Sequence, residues 1–249
     1  MAHKTLISGT AYSVTGGREL IGGTGYDCKA GKTLIGGTAF TVPFSKGIPL
    51  NTITPGAILY LNESGSPVPF YIAKHDYESG LNGAGRTLVV RKDCYDMRVF
   101  SDGSTTYANS DLDLWIGNTW IKLLDSDIRT AVGMTKFYYT DGNRLSTLQR
   151  SAFQLSLTEL GKSSKYANDE GSVLPTADVL QIAYRNGSTV FQWTRSKNTS
   201  NSYNVWALSN KAVAYYGVVE SSYGSRPAFT LPATTAVIAN ADGTYTLAA

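Results

Sequence analysis

The chain opens with three copies of a fourteen-residue unit: KTLISGTAYSVTGG from Lys4, RELIGGTGYDCKAG from Arg18 and KTLIGGTAFTVPFS from Lys32. A fixed period constrains the fold before any single residue does, because each copy must adopt one conformation and hide its apolar side chains in the same way. Each unit has a short β-branched and apolar run, a glycine-rich turn and an aromatic in one slot: Tyr12, Tyr26 or Phe40. That order predicts a small β-hairpin, or one rung of a β-structure. A two-stranded unit of this size buries too little surface to be stable alone in water. We therefore expect residues 1–46 to form an attachment or oligomerisation stem, with a homotrimer among the assemblies it fits. The aromatics and the pairs Leu6-Ile7, Leu20-Ile21 and Leu34-Ile35 would make the shared core. The alternative is a β-meander packed on the chain's own C-terminal domain.

Pro43, Gly47, Pro49 and Pro55 punctuate the chain after the repeats and mark a boundary. Beyond it the pattern is mixed. Ala57 to Leu61, Val68 to Ala73 and Thr87 to Arg91 read as strands, the last two joined by a glycine-rich loop from Ser79 to Gly85. Ser110 is a helix N-cap followed by Asp111 and Asp113 in the positive first turn. Leu112, Ile116, Trp120, Leu123 and Ile128 then recur at near-helical spacing, with Gly117-Asn118 as the break between two helices. Phe153 to Leu157 reads as a buried strand and Thr158 to Gly161 as a turn. Strand signals return at Val179 to Tyr184, Val190 to Trp193, Val205 to Leu208, Ala212 to Tyr216 and Ala228 to Leu231. A tail hairpin over 233–249 closes on Asp242-Gly243. The fold class is α+β and β-rich, with one ligand-binding domain over 47–232.

Composition removes several function classes. Charged residues are 16% of the 249, against ~25% in ordinary soluble domains, so Ser, Thr, Asn, Gly and Tyr must supply the surface polarity. Such surfaces suit extracellular and virion proteins. A net charge of +3 from singly scattered Lys and Arg gives no basic stripe, and nucleic-acid binding is not expected. The longest apolar runs are too short for a membrane span, and Met-Ala-His-Lys-Thr-Leu-Ile has no apolar core of a secretory signal. Release by lysis, within a phage particle, is one route to the outside.

Catalytic chemistry finds little support. A nucleophile needs a base within reach, usually His, and the two histidines are His3 at the terminus and His75 in AKHDYE. His75 beside Asp76 reads as a surface turn. There is no GxSxG, HExxH or phosphate-binding loop, and Gly80, Gly83 and Gly85 precede no helix. Cys28 and Cys94 suit neither a disulfide framework nor a zinc site and read as free thiols. Asp111/Asp113 and Asp125/Asp127 could offer oxygens to calcium, but helix capping and solvated faces account for them better. No cofactor, no metal and no enzymatic role are expected.

Between Trp193 and Leu231 runs WTRSKNTSNSYNVWALSNKAVAYYGVVESSYGSRPAFTL. Tyr provides a rigid amphipathic contact at low entropic cost, and Ser and Asn provide adaptable hydrogen bonding, the composition of antibody loops. We expect ligand contacts from Asn198, Asn201, Ser202, Tyr203, Asn204, Trp206, Tyr215, Tyr216, Ser221, Ser222 and Tyr223. Strand alternation should send Tyr215 and Tyr216 to opposite faces, one of them into the core. Tyr203 and Tyr223 should lie exposed in loops. Trp193, Arg195, Arg226, Pro227 and Phe229 form the expected structural frame, with each Arg paired and hydrogen-bonded because an unpaired buried charge is costly.

YANSDLDLWIGNTWIKLLDSDIRTAV, FQLSLTELG, WTRS, NVW and SRPAFTL occur in that order. In this order they resemble a C-type-lectin-like fold family of bacterial and phage proteins, related to formylglycine-generating enzymes, over roughly residues 50 to 232. The Tyr/Ser/Asn-rich stretch before SRPAF is similar to the variable region of diversity-generating retroelement targets, where adenine-directed mutagenesis diversifies ligand-facing positions. The resemblance implies a phage-associated tail or virion-surface protein that binds a host cell-surface protein or glycan through a hypervariable surface. It also implies that the N-terminal repeats engage virion or tail proteins. The enzymes of that group depend on paired C-terminal cysteines, and this chain has none there, so catalysis does not carry over. A structural virion or tail decoration protein, using the same fold for subunit assembly, is the alternative.

Overall fold

The computed structural model describes residues 3–7, 10–14, 18–21, 24–27, 30–35, 38–43 and 47–248. In each repeat the backbone forms an antiparallel pair: His3–Ile7 with Thr10–Val14, Arg18–Ile21 with Thr24–Asp27, and Ala30–Ile35 with Thr38–Pro43. The registers coincide. Thr5 is opposite Tyr12, Glu19 opposite Tyr26 and Thr33 opposite Phe40, while an Ile is opposite a Thr at each inner end. Cys28 and the packing of the repeats' aromatic and Leu-Ile side chains lie outside the described residues.

An eight-stranded sheet carries the main core. Its spatial order is Ala152–Phe153, Ala228–Pro232, Arg86–Arg91, Ser66–Lys74, Ile58–Glu63, Tyr245–Leu247, Ala236–Ala239 and Ile48–Pro49. Ile58–Glu63 and Ser66–Lys74 form a hairpin across Ser64-Gly65, both at positive φ (54° and 74°), the turn whose twist matches that of the strands. The tail strands Ala236–Ala239 and Tyr245–Leu247 pair with each other and continue this sheet, the latter running parallel to Ile58–Glu63. Phe70, Trp120 and Phe229 pack ring against ring with centroids 5.7–6.5 Å apart, all fully buried.

The helical layer forms where its spacing predicts. Ser110 Oγ accepts from the Asp113 amide at 3.1 Å and starts Asp111–Asn118; a short 3-10 turn, Trp120–Leu123, and the helix Ser126–Ala131 follow the break at Gly117-Asn118. Asp113 is itself buried and pairs with Arg150 at 2.8 Å. Asp111 accepts from the Asp102 amide, Asp125 from Asn62, and Asp127 from Ser126. These carboxylates are thus engaged in capping and packing.

A second, five-stranded sheet has the order Asp96–Arg98, Tyr223–Ser225, Gln192–Lys197, Asn204–Leu208, Ala214–Val218. Several elements differ from the sequence reading: the strand expected over Phe153 to Leu157 stops at Phe153, the loop from Ser79 contains a helical turn, Ser79–Asn82, and Val190 to Trp193 spans the break between Ser188–Val190 and Gln192–Lys197. Thr135–Asp141 and Arg144–Arg150 make a long hairpin across Gly142-Asn143, with Gly142 at φ 58°. Val179 to Tyr184 is not one strand: Ala177–Leu180 is a helical turn and Ala183–Arg185 a short strand. The turn leaves the Leu180 carbonyl to accept from both Gln192 Nε2 (2.8 Å) and Arg226 Nη1 (2.7 Å).

Candidate functional site

The strand Gln192–Lys197 and the loop after it are organised from below by Arg195. Its side chain is fully buried among Phe137, Phe153 and polar groups. Its Nη1 pairs with Glu159 Oε2 at 2.7 Å and donates to the Gln154 carbonyl at 2.9 Å, its Nε donates to the Tyr138 carbonyl at 2.7 Å, and Glu170 Oε2 lies 3.8 Å away. Tyr77 hydroxyl donates to the other oxygen of Glu159. Glu170 accepts from Thr140 Oγ1 (2.6 Å) and Ser196 Oγ (2.7 Å). Burial works against the Arg195 charge, but Glu159 and its neighbours hold the guanidinium protonated well above its ordinary range. Burial pushes the Glu170 carboxyl and the Tyr77 hydroxyl upward. The cluster is a buried joint tying the segment 154–170 to the strand.

Above that joint lies a cleft of about 460 Å³, lined by Ser164, Lys165, Tyr166, Asn198, Ser200, Asn201, Asn204, Trp206 and Tyr216. The Tyr166 carbonyl accepts from the Thr199 amide (2.9 Å) and Trp206 Nε1 (3.2 Å), which fixes one wall against the other. Asn198 Oδ1 accepts from the Ser200 amide and hydroxyl, and Asn201 Oδ1 from the Tyr203 amide, each closing a local turn. Among the described residues, Nδ2 of Asn198 and Asn201 and the whole side-chain amide of Asn204 have no hydrogen-bond partner in the protein. Tyr216 stands edge-on to Trp206 (6.4 Å, 84°), and the Lys165 ammonium lies 4.8 Å over the Tyr166 ring. Unused amide groups therefore sit beside aromatic rings and one cation.

The model of a protein family described as a domain of unknown function, DUF6273, matches residues 84–233, more than half of the chain. The chain belongs to the DUF6273 family. No curated protein and no solved structure matches it. The DUF6273 segment begins and ends on neighbouring strands, with Arg86 opposite Pro232, and contains both the five-stranded sheet and the cleft.

Within the DUF6273 segment the structure brings Asn198, Asn201, Asn204, Trp206 and Tyr216 together in the cleft. Ser202 and Tyr203 are exposed outside it, Tyr203 the more so at 69%. Ser221 and Ser222 lie in the turn after the edge strand. Two expectations are corrected. Tyr215 and Tyr216 are both exposed, their rings parallel and 5.5 Å apart, because Ala214–Val218 is a sheet edge in which only Gly217 is buried. Tyr223 is not in a loop: it starts the strand Tyr223–Ser225 and packs half-buried on Phe191 and Trp193 (5.2 and 4.6 Å).

The frame residues Trp193, Arg195, Arg226, Pro227 and Phe229 are all buried. Arg226 corrects the pairing expectation. Among the described residues it has no carboxylate partner; it donates to the carbonyls of Arg91 (2.9 Å), Leu180 (2.7 Å) and Ile182 (3.5 Å), and burial lowers its pKa. Carbonyl oxygens take up its Nε and Nη1 hydrogens without compensating its charge. His75 is bound to Thr87 Oγ1 (2.9 Å) and the Ile53 carbonyl (2.7 Å), and Asp76 accepts from the Gly85 amide instead. Cys94 is buried and burial pushes its thiol up to about 11. The cleft residues missed from sequence, Ser164, Lys165, Tyr166 and Ser200, belong to KSSKYAND and NTSNS; the first has the same Ser/Tyr/Asn composition as the stretch that was singled out.

Proposed function

We propose that this chain is a recognition protein whose C-type-lectin-like domain, residues 47–232, binds a cell-surface glycan in the cleft between Tyr166 and Tyr216. The carrying observation is that Nδ2 of Asn198 and Asn201 and the side-chain amide of Asn204 are free to bond a ligand beside the Tyr166, Trp206 and Tyr216 rings. Sugars present hydroxyls in pairs and patches of apolar C–H, and planar amides with aromatic faces match both. The volume falls within the ~300–1,000 Å³ of small-ligand sites, and the single lining charge, Lys165, favours a neutral or acidic ligand. The setting we propose is a phage particle, with the N-terminal hairpins engaging virion or tail proteins and the cleft meeting the host surface.

Binding of the full chain to immobilised glycans and to intact cells tests this. Asn204→Ala and Tyr216→Ala should each weaken retention at least tenfold, or about 1.4 kcal/mol, while near-ultraviolet circular dichroism stays unchanged. Binding to cells that periodate leaves intact and protease abolishes would reassign the ligand as a protein; binding untouched by either substitution would remove the cleft from the account.

A further inference from the structure

Open sheet edges expose unpaired N–H and C=O groups, and proteins usually blunt them with Pro, charge or brevity. Three of the four edges in the two large sheets follow that rule. Ile48–Pro49 is two residues long and contains Pro, Ala152–Phe153 is two residues long and buried, and Asp96–Arg98 is three residues long and charged at both ends. Ala214–Val218, sequence AYYGV, has five residues, no Pro and no charge, and is flanked by exposed Val213.

The direction of its free groups follows from its bonds. The Val213 carbonyl accepts from the Ser209 amide (2.9 Å) and the Val219 amide donates to the Tyr203 carbonyl (3.2 Å), so odd-numbered residues point into the sheet. In an antiparallel ladder the alternate residues then point outward: N–H and C=O of Ala214 and Tyr216, and N–H of Val218, whose carbonyl takes the Ser221 amide (2.8 Å). A two-fold axis perpendicular to the sheet can pass between two copies of an outward residue or of an inward one, and within Ala214–Val218 only a centre at Tyr216 engages all three outward residues. Centred on Tyr216, it sets Ala214 opposite the partner's Val218: the Tyr216 and Val218 N–H groups meet the free carbonyls of Tyr216 and Ala214, and the Ala214 N–H meets the Val218 carbonyl, which also holds the Ser221 amide. The nearest charges along the chain, Lys211 before the strand and Glu220 after it, then approach with opposite sign at both ends.

From this geometry we infer that Ala214–Val218 is the self-association edge of the protein: two copies join antiparallel through it, Tyr216 on Tyr216, making one ten-stranded sheet. Tyr216 also lines the cleft, so the axis sets two clefts side by side and the partner's Tyr216 next to each. The inference does not depend on what the cleft binds.

Light scattering of the full chain across concentration should show monomer passing to dimer. Ala214→Pro removes an outward N–H without touching the ladder to Asn204–Leu208 and should weaken the dimer at least tenfold. Tyr216→Lys and Tyr216→Glu put like charges on the axis and should each be monomeric where the parent is dimeric, and mixing the two variants should restore the dimer. That restoration is specific to a self-opposed residue and also serves if Ala214→Pro fails to fold. A parent that stays monomeric, an assembly indifferent to all three substitutions, or a mixture that remains monomeric would each overturn the inference.

Discussion

At the scale of single residues, the strongest consequences come from buried charge. Removing Arg195 leaves Glu159 and Glu170 facing each other in the core, and losing one partner of a buried pair costs about 3–5 kcal/mol. Arg195→Met should therefore lower the melting temperature by roughly 10 °C, at the ~2–4 °C per kcal/mol expected for this chain length. Burial first, and Glu159 second, raise the pKa of Glu78, whose Oε1 is buried without a partner among the described residues. A carboxyl raised in the folded state binds protons more readily there than in the unfolded chain. Its contribution is fully present below the ordinary Glu value and is lost as pH rises through the raised one. Glu78→Gln should thus stabilise the protein at neutral pH, with the gain shrinking as pH falls toward about 4, as paired thermal melts would show. The Cys94 thiol, buried and pushed up to about 11, should resist alkylation at pH 7 until the chain unfolds. Burial sets all three effects, and none of these partnerships is visible in the local sequence.

At the scale of elements, two glycines decide whether strands can form. A Cβ on Gly217 would lie 2.5 Å from Tyr223 Cε2 and 2.7 Å from Trp193 Cζ3, both rings held by other packing. Gly217→Ala should displace the edge strand and cost about 1–3 kcal/mol, with loss of cleft binding as the sensitive readout. Gly142 begins the two-residue turn of Thr135–Asp141 and Arg144–Arg150 at φ 58°, a region that costs other residues about 1–2 kcal/mol. The signal for this hairpin is local, TDGN between alternating runs, so the element is legible in the sequence. The capped helix at Ser110 and most strands likewise followed from local signals alone, because caps, periodicity and turn residues act within a few positions.

At the scale of the whole molecule, the DUF6273 segment is not the whole core. Glu63, outside it, accepts from Arg91 at 3.0 and 3.1 Å and from Trp120 Nε1 at 3.1 Å, and Phe70, also outside, packs on Trp120 and Phe229. Residues 84–233 alone should expose the edge of Arg86–Arg91 and leave Arg91 unpaired, so this fragment should be insoluble or molten, whereas 47–249 should melt cooperatively. Circular dichroism and exclusion chromatography of the two fragments check this. The sequence by itself determined the β-rich class, the hairpin repeats, the helix cap and the Tyr/Ser/Asn stretch, each set by neighbours along the chain. Only the tertiary structure decided which of those polar residues form a cleft, because Tyr166 arrives from a distant segment through a carbonyl contact. It alone also decided that Tyr216 lies at an open edge while Tyr223 supports the core, since strand order depends on pairings between residues far apart in the chain.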